Sequence, residues 1–284
     1  MQPDHLHLAG QIAELFASLQ EVEAVALGGS RASGASDESS DIDLYVYTRA
    51  EIPLENRQEI VERSGGATET SMDMNYWGLC DEWVHAPTGI EIDISYFEAS
   101  WMEERLDRVI HRRQANLGYT TCFWHTIRRS IALRDPRGWF SALQTLCQSE
   151  YPEALRQNII ALNYPVLRSI IPSYSNQLDK AIKRHDLVSV NHRLAALFAS
   201  YFDILFALNR QLHPGEKRLL ELAAAHCAKL PSQMEADIAA ILQSASGNLS
   251  GFSAAIARLL DGLDRLLDDE GFVCASDCRR VLRL

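Results

Sequence analysis

The sequence predicts an α+β fold: a mixed β-sheet with flanking helices over residues 1–140, then an all-helical bundle over residues 141–284. Three observations carry the prediction. Asp41–Tyr47 and Ile90–Phe97 alternate branched apolar residues with polar ones at the period of a strand. After Phe140 the apolar spacing is helical throughout, interrupted only by Pro and by small polar turns. With 284 residues, 47% apolar and 23% charged, the chain has the make-up of a globular protein large enough for two domains of ordinary size.

Taken in order, Leu8, Ile12, Leu15, Phe16 and Leu19 recur at helical spacing, which predicts a first amphipathic helix over Leu6–Leu19. Val22–Leu27 reads as a short buried strand, and Gly28-Gly29-Ser30 turns out of it. The loop Ser33–Ser40, SGASDESS, is small and polar, and leads into the Asp41–Tyr47 strand. A short helix over Leu54–Arg63 stops at Gly65-Gly66. Asp81–Ala86 and Ile90–Phe97 flank Pro87-Thr88-Gly89, which has the composition of a hairpin turn and makes the sheet mixed. Helices follow over Trp101–Arg113 and Tyr119–Arg129, then a strand from Ile131 ending in Asp135-Pro136-Arg137-Gly138, and the domain boundary is expected near Phe140. Pro152 opens a helix toward Ile171 that Pro165 should kink, because proline lacks the donor and clashes with the preceding turn. Leu187–Gln211 is apolar on most sides, as a central helix must be, and amphipathic helices over Glu216–Leu230, Met234–Ser244 and Leu249–Leu267 surround it.

The chemistry concentrates between Ala26 and Thr48. Gly28 and Gly29 permit close backbone approach to phosphate oxygens, and free N–H groups at a helix start attract negative charge. Ser30 adds a hydroxyl and Arg31 a cation. On a strand Asp41 and Asp43 project to one side and Ile42, Leu44 and Val46 to the other. Two carboxylates one pleat apart repel each other unless a divalent cation lies between them, and hard oxygen donors beside phosphates suit Mg²⁺. A third carboxylate is expected from Gly89–Phe97, where Glu91 and Asp93 share a face; either completes the metal site and the other serves as base. Glu98, just past that strand, is a further candidate base, though a solvated carboxylate is its commoner role. Trp77 and Trp83 are candidates to stack on a nucleobase or acceptor ring, with core packing the commoner role for each. Lys217 follows Pro214-Gly215 at a helix start, where the dipole disfavours a cation, so an anionic partner is one explanation and an exposed surface lysine the other.

Gly29-Ser30, ten intervening residues, Asp41-x-Asp43 and then the Ile92-Asp93-Ile94 strand together resemble the nucleotidyltransferase superfamily that includes DNA polymerase beta. Within it the chain looks most like the small antibiotic nucleotidyltransferases of the lincosamide and aminoglycoside kind and their bacterial relatives. A softer resemblance lies in FALNRQLHPGEK, Phe206–Lys217. The resemblance implies an N-terminal nucleotidyltransferase fold, with Gly29 and Ser30 holding a triphosphate, Asp41 and Asp43 binding two Mg²⁺ ions, and Asp93 completing the catalytic metal site. It also implies that a lysine of the helical domain, here Lys217, reaches the triphosphate. The reaction so implied moves a nucleoside monophosphate, AMP from ATP in its best-known form, to an acceptor hydroxyl and releases pyrophosphate. Two readings stand beside a small-molecule acceptor: nucleotidylation of a protein hydroxyl, as by antitoxin-like members, and a non-catalytic nucleotide-binding regulator.

Composition bounds the partners. A formal net charge of −11 argues against a nucleic-acid partner and fits a cationic acceptor, although surplus Asp and Glu often only solubilise. The six cysteines, Cys80, Cys122, Cys147, Cys227, Cys274 and Cys278, are scattered and read as reduced thiols; Cys274 and Cys278 share a helical spacing but lack a second ligand pair for zinc. MQPDHLHLAG has neither a basic leader nor a long apolar core, so no signal peptide is expected; the most apolar stretch, Leu194–Leu208, is interrupted by Asp203 and too short to span a bilayer, and with the reduced cysteines a cytoplasmic location is expected.

Overall fold

The computed structural model describes residues 3–29, 41–245, 247 and 249–272. The chain packs as two compact units, Met1–Asp107 with Phe123–Glu150 and Arg108–Cys122 with Tyr151–Leu284. The sequence reading places a single cut near Phe140; these units divide at Glu150, with 108–122 joined to the second.

The first unit is built on β1 (Val22–Leu27), β2 (Ile42–Thr48), β3 (Ala67–Met74), β4 (Cys80–His85), β5 (Glu91–Glu98) and β6 (Ile131–Arg134), in the order β3-β4-β5-β2-β1-β6. β2 and β5 run parallel and the other neighbours antiparallel, so the sheet is mixed. Alternation decides its two faces. Ile42, Leu44, Val46, Ile92 and Ile94 point to one side, where Leu8, Ile12 and Phe16 of α1 (Pro3–Ala17) and Ile60 and Val61 of α2 (Leu54–Arg63) close the core. On the other side, toward the carboxyl ends of β2 and β5, Tyr47 and Phe97 pack with Trp101 of α3 (Ala99–Ile110), Phe123 of α4 (Cys122–Arg129) and Trp139 and Phe140 of α5 (Trp139–Leu146).

Two polar devices fix this frame. In the turn before α5, Asp135 accepts from the Phe140 and Ser141 amides at 3.0 and 2.8 Å. Arg137 forks onto the buried Glu23 carboxylate, with contacts of 2.7 to 3.1 Å, and onto the Val22 carbonyl, which ties the turn to β1. On the opposite flank Arg57 of α2 is buried. It donates to Asp81 and Asp73, each at 2.7 Å, and to the Ile52 carbonyl, while the Tyr96 hydroxyl and the Asp73 amide donate to Asp81. Burial and the adjacent Asp81 carboxylate push the Tyr96 phenol far above its usual range.

β3 is not expected from the sequence. Its residues, ATETSMDM, are mostly exposed, so there is no apolar face to produce the strand pattern; pairing to β4 makes it a strand.

The second unit comprises α6 (Glu153–Tyr164), a π-helical turn over Pro165–Ser169, α7 (Tyr174–Lys183), α8 (Leu187–Leu208), α9 (Leu219–His226), α10 (Met234–Ala245) and α11 (Phe252–Asp269). Pro165 ends α6 as its missing donor requires. α8 is the central helix: Leu197, Tyr201, Ile204, Leu205 and Leu208 are fully buried and pack with residues of α6, α7, α10 and α11. α7 is absent from the sequence reading, its short apolar stripe being interrupted by Lys180 and Lys183. Asp203 of α8 is buried among Thr120, whose amide and hydroxyl donate to it, and Asn163. These bonds hold the 116–121 loop against α6 and α8.

Candidate active site

The Gly28–Gly29 turn leaves β1 beside the start of β2, and the Gly28 amide donates to the Asp43 carbonyl at 2.9 Å. Both glycines are required by space. A Cβ on Gly28 would lie 2.1 Å from the Tyr45 ring; one on Gly29, whose φ is +60°, would lie 1.7 Å from an Asp43 carboxylate oxygen. The Asp43 side chain therefore rests against the glycine turn, so a group cradled by the turn meets that carboxylate. Tyr45 closes the inner wall. Its phenol is pushed up to about 12, first by burial and then by the Asp43 and Asp93 carboxylates, against a hydrogen bond with the Gly29 backbone.

Asp43 stands opposite Asp93 in the parallel β2–β5 register, and Ile42 opposite Ile92. Because in-register residues of parallel strands share a face, the two carboxylates project side by side from strands about 4.8 Å apart, away from the apolar core. Asp41 immediately precedes β2 and is half-buried. Glu91 is exposed at the start of β5. Ser30 and Arg31 lie outside the described residues, as do Cys274 and Cys278.

Trp83, Trp77 and Glu98 fall elsewhere, and Lys217 belongs to the second unit. Trp83 is 2% exposed and belongs to the apolar core, whereas Trp77 is 93% exposed on the β3–β4 turn beside Tyr76. Glu98 ends β5, five residues beyond Asp93 and so about 16 Å along the strand, bonded to Ser100; that distance removes it as a base. Lys217 is exposed in the turn ahead of α9 in the second unit.

Sequence reasoning missed Glu82. It stands opposite Asp93 in the β4–β5 register, on the same polar face, and the Cys80 thiol beside it is raised by burial and by the fields of Asp93, Glu82 and Asp81. The Pro87-Thr88-Gly89 motif alone would pair Ala86 with Ile90 and so Trp83 with Asp93; the observed loop is one residue longer, with the His85 amide bonded to the Ile90 carbonyl, and that register brings Glu82 opposite Asp93.

Among the described residues no three His, Cys, Asp or Glu side chains already converge as a metal-ligand group. The donor set nonetheless fits Mg²⁺, which keeps few protein ligands and takes the rest from water and phosphate. It offers two in-register carboxylates, a third immediately ahead of β2, and a glycine turn against one of them.

Residues 10–76 match the family model described as polymerase beta, nucleotidyltransferase. This chain carries a nucleotidyltransferase domain. The match takes in Gly28, Gly29, Asp41 and Asp43 and stops before Asp93, which the β2–β5 register brings beside Asp43. Nucleotidyl transfer is the enzyme class of such a domain. Among solved structures, a nucleotidyltransferase-like protein from Exiguobacterium sibiricum 255-15 is similar over 93% of this chain and 74% of its own, at 12% identity and a TM-score of 0.43. A Thermotoga maritima CCA-adding enzyme, complexed with tRNA, is similar over 97% of this chain and 80% of its own, at 12% identity and a TM-score of 0.30. No curated protein matches the sequence. Among the described residues no helix is long and apolar enough to cross a membrane.

Proposed function

We propose that the nucleotidyltransferase domain, residues 1–140, transfers the nucleoside monophosphate of a triphosphate, AMP from ATP, to a hydroxyl of a small-molecule acceptor, residues 141–284 being a helical domain. The observation that carries this reading is the Asp43–Asp93 register beside a glycine turn whose Cβ positions are already filled by Tyr45 and Asp43. In it, Gly28, Gly29 and Ser30 receive the triphosphate by backbone and hydroxyl donors, and Arg31 contributes positive charge to the phosphates.

Asp41, Asp43 and Asp93 would hold Mg²⁺, two ions in the full reading, which supplies neutralisation of the phosphate charge and activation of the acceptor oxygen. Glu91, on the polar face of β5 two residues before Asp93, accepts the hydroxyl proton. The acceptor oxygen bonds to the α-phosphorus, the α–β bridging bond breaks, and pyrophosphate leaves with the electron pair. A small acceptor is preferred to nucleic acid because the net charge is −11 and β3, β4 and β5 contain neither Lys nor Arg, so the open part of the sheet repels a phosphate backbone. The same acidity favours a cationic acceptor, of which the aminoglycoside and lincosamide antibiotics are examples.

Calorimetric titration with a non-hydrolysable ATP analogue tests the reading. Binding should require Mg²⁺ and vanish in Asp43→Asn with the fold intact; a folded wild-type protein that binds no nucleoside triphosphate would refute it.

A further inference from the structure

Across the second unit Arg156, Arg168, Arg210, Lys229 and Arg258 each meet a carboxylate. The joint between α7 and α8 is different. Lys180, Lys183 and Arg184 are exposed there, and among the described residues no hydrogen bond or ion pair engages their side chains. The neighbouring acids are committed elsewhere: Asp179 accepts from the Ser253 hydroxyl at 2.8 Å, and Asp186 caps α8 by accepting from the Ser189 amide and hydroxyl at 3.0 and 2.6 Å. His185, at φ +54°, turns the chain between the helices. Beside these cations Leu187 and Val188 open α8, 52% and 83% exposed, while Ala181, Val190 and Leu194 anchor the corner in the core.

Cations in the last turn of a helix complement its dipole, which accounts for the sign of Lys180 and Lys183 but for neither exposed aliphatic side chain. Val188 is about 200° of helical rotation from the buried Val190, so it points away from the core. An aliphatic tip flanked by cations is the pattern of a segment that enters a membrane interface, the cations meeting lipid phosphates and the aliphatic groups the acyl boundary. A protein partner would need about 800 Å² of surface around an apolar core, which two aliphatic side chains among cations do not supply. We propose that the α7–α8 corner docks reversibly on an anionic phospholipid bilayer, with Leu187 and Val188 entering the headgroup layer and Lys180, Lys183 and Arg184 meeting the lipid phosphates. The net charge of −11 opposes adsorption of the chain as a whole, but charges more than about 8 Å from the surface are screened at physiological salt, so the corner meets the bilayer with its own charges. This inference goes beyond nucleotidyl transfer and does not depend on it.

Co-sedimentation of the full-length protein with vesicles tests it, one set of phosphatidylcholine alone and one of equimolar phosphatidylcholine and phosphatidylserine. The wild type should partition onto the phosphatidylserine vesicles only, and high salt should release it. Lys183→Gln/Arg184→Gln should weaken the partition about thirtyfold, the factor for two cations at an anionic surface. Leu187→Ser/Val188→Ser should weaken it about tenfold, the scale of two CH₂ groups leaving the acyl boundary. Ile171→Ser, at an aliphatic residue ahead of α7 that is also 83% exposed, should leave it unchanged. Every substituted position is exposed, so circular dichroism should show the wild-type helix content in each variant. A folded wild type that ignores the phosphatidylserine vesicles, or binds both kinds equally, overturns the proposal. Loss in the Lys183/Arg184 variant without loss in the Leu187/Val188 variant also overturns it, and leaves a patch suited to an acidic polypeptide. Loss of the same size in Ile171→Ser overturns it by moving the contact away from the corner.

Discussion

Removing the Arg57 side chain should destabilise the first unit far more than its single ion pairs suggest. Arg57 and Asp81 side chains are 1% and 0% exposed and meet at 2.7 Å, whereas Asp73 is 55% exposed. The exposed Asp73 contact contributes at most about 1 kcal/mol, since water competes for both partners. The Asp81 contact is different. In Arg57→Met, Asp81 keeps the Tyr96 hydroxyl and the Asp73 amide but is left as a buried anion without its cation, which costs about 3 to 5 kcal/mol. Arg57→Met/Asp81→Asn removes both charges and should recover most of that loss. Urea unfolding of the wild type, both single variants and the double variant gives the cycle, with the coupling between the two sites as its readout. A cost below about 1 kcal/mol for Arg57→Met would refute the argument, as would a double variant no more stable than Arg57→Met, because either shows that the buried anion was never dependent on its partner.

Two other substitutions test local geometry and titration. Gly29→Ala adds a Cβ where the Asp43 carboxylate stands 1.7 Å away at a φ of +60°, so the carboxylate must move by more than an ångström; pyrophosphate release should fall about a hundredfold with little change in melting temperature, and unchanged turnover would show that Asp43 need not rest against the turn. Asp203 is pushed up to about 7, chiefly by burial and against the hydrogen bonds from Thr120 and Asn163. Because the folded state holds that proton above the ordinary value of 3.8, stability from this group is full below that value and is lost as pH rises toward 7, by roughly 4 kcal/mol at most. Asp203→Asn should therefore gain on the wild type between pH 5 and pH 8 in urea midpoints; parallel pH curves would exclude the effect.

The polar faces of the strands were the more legible part of the sequence. Asp43 and Asp93 could be placed on one polar face because each is flanked by branched apolar residues, and the Pro87-Thr88-Gly89 turn announced the β4–β5 hairpin. What escaped depends on partners distant in sequence. Arg57 sits in a strongly polar helix, and nothing in ENRQEIVER distinguishes a buried guanidinium from a solvated one. β3 has no apolar face to betray it. Trp83 and Trp77 look alike in sequence, yet one lies in the core and the other on a turn, because alternation along β4 turns Trp83 inward while Trp77 falls outside any strand. Glu82 became visible only through register, which is a relation between strands and not a property of either one.

The placement of residues 108–122 sets an order of events during synthesis. This segment emerges from the ribosome before the elements that hold it: the Gly118 amide bonds to Asn163, 45 residues later, and Thr120 to Asp203, 83 residues later. Meanwhile β6, which pairs with β1, emerges in the interval and completes the first sheet. The nascent chain can thus close its sheet while a loop of its own remains unsatisfied, awaiting α6 and α8. A ribosome-stalled chain whose first 150 residues have cleared the exit tunnel should show a protected sheet and an exchanging 116–121 loop, and protection of that loop should follow only after α8 has emerged.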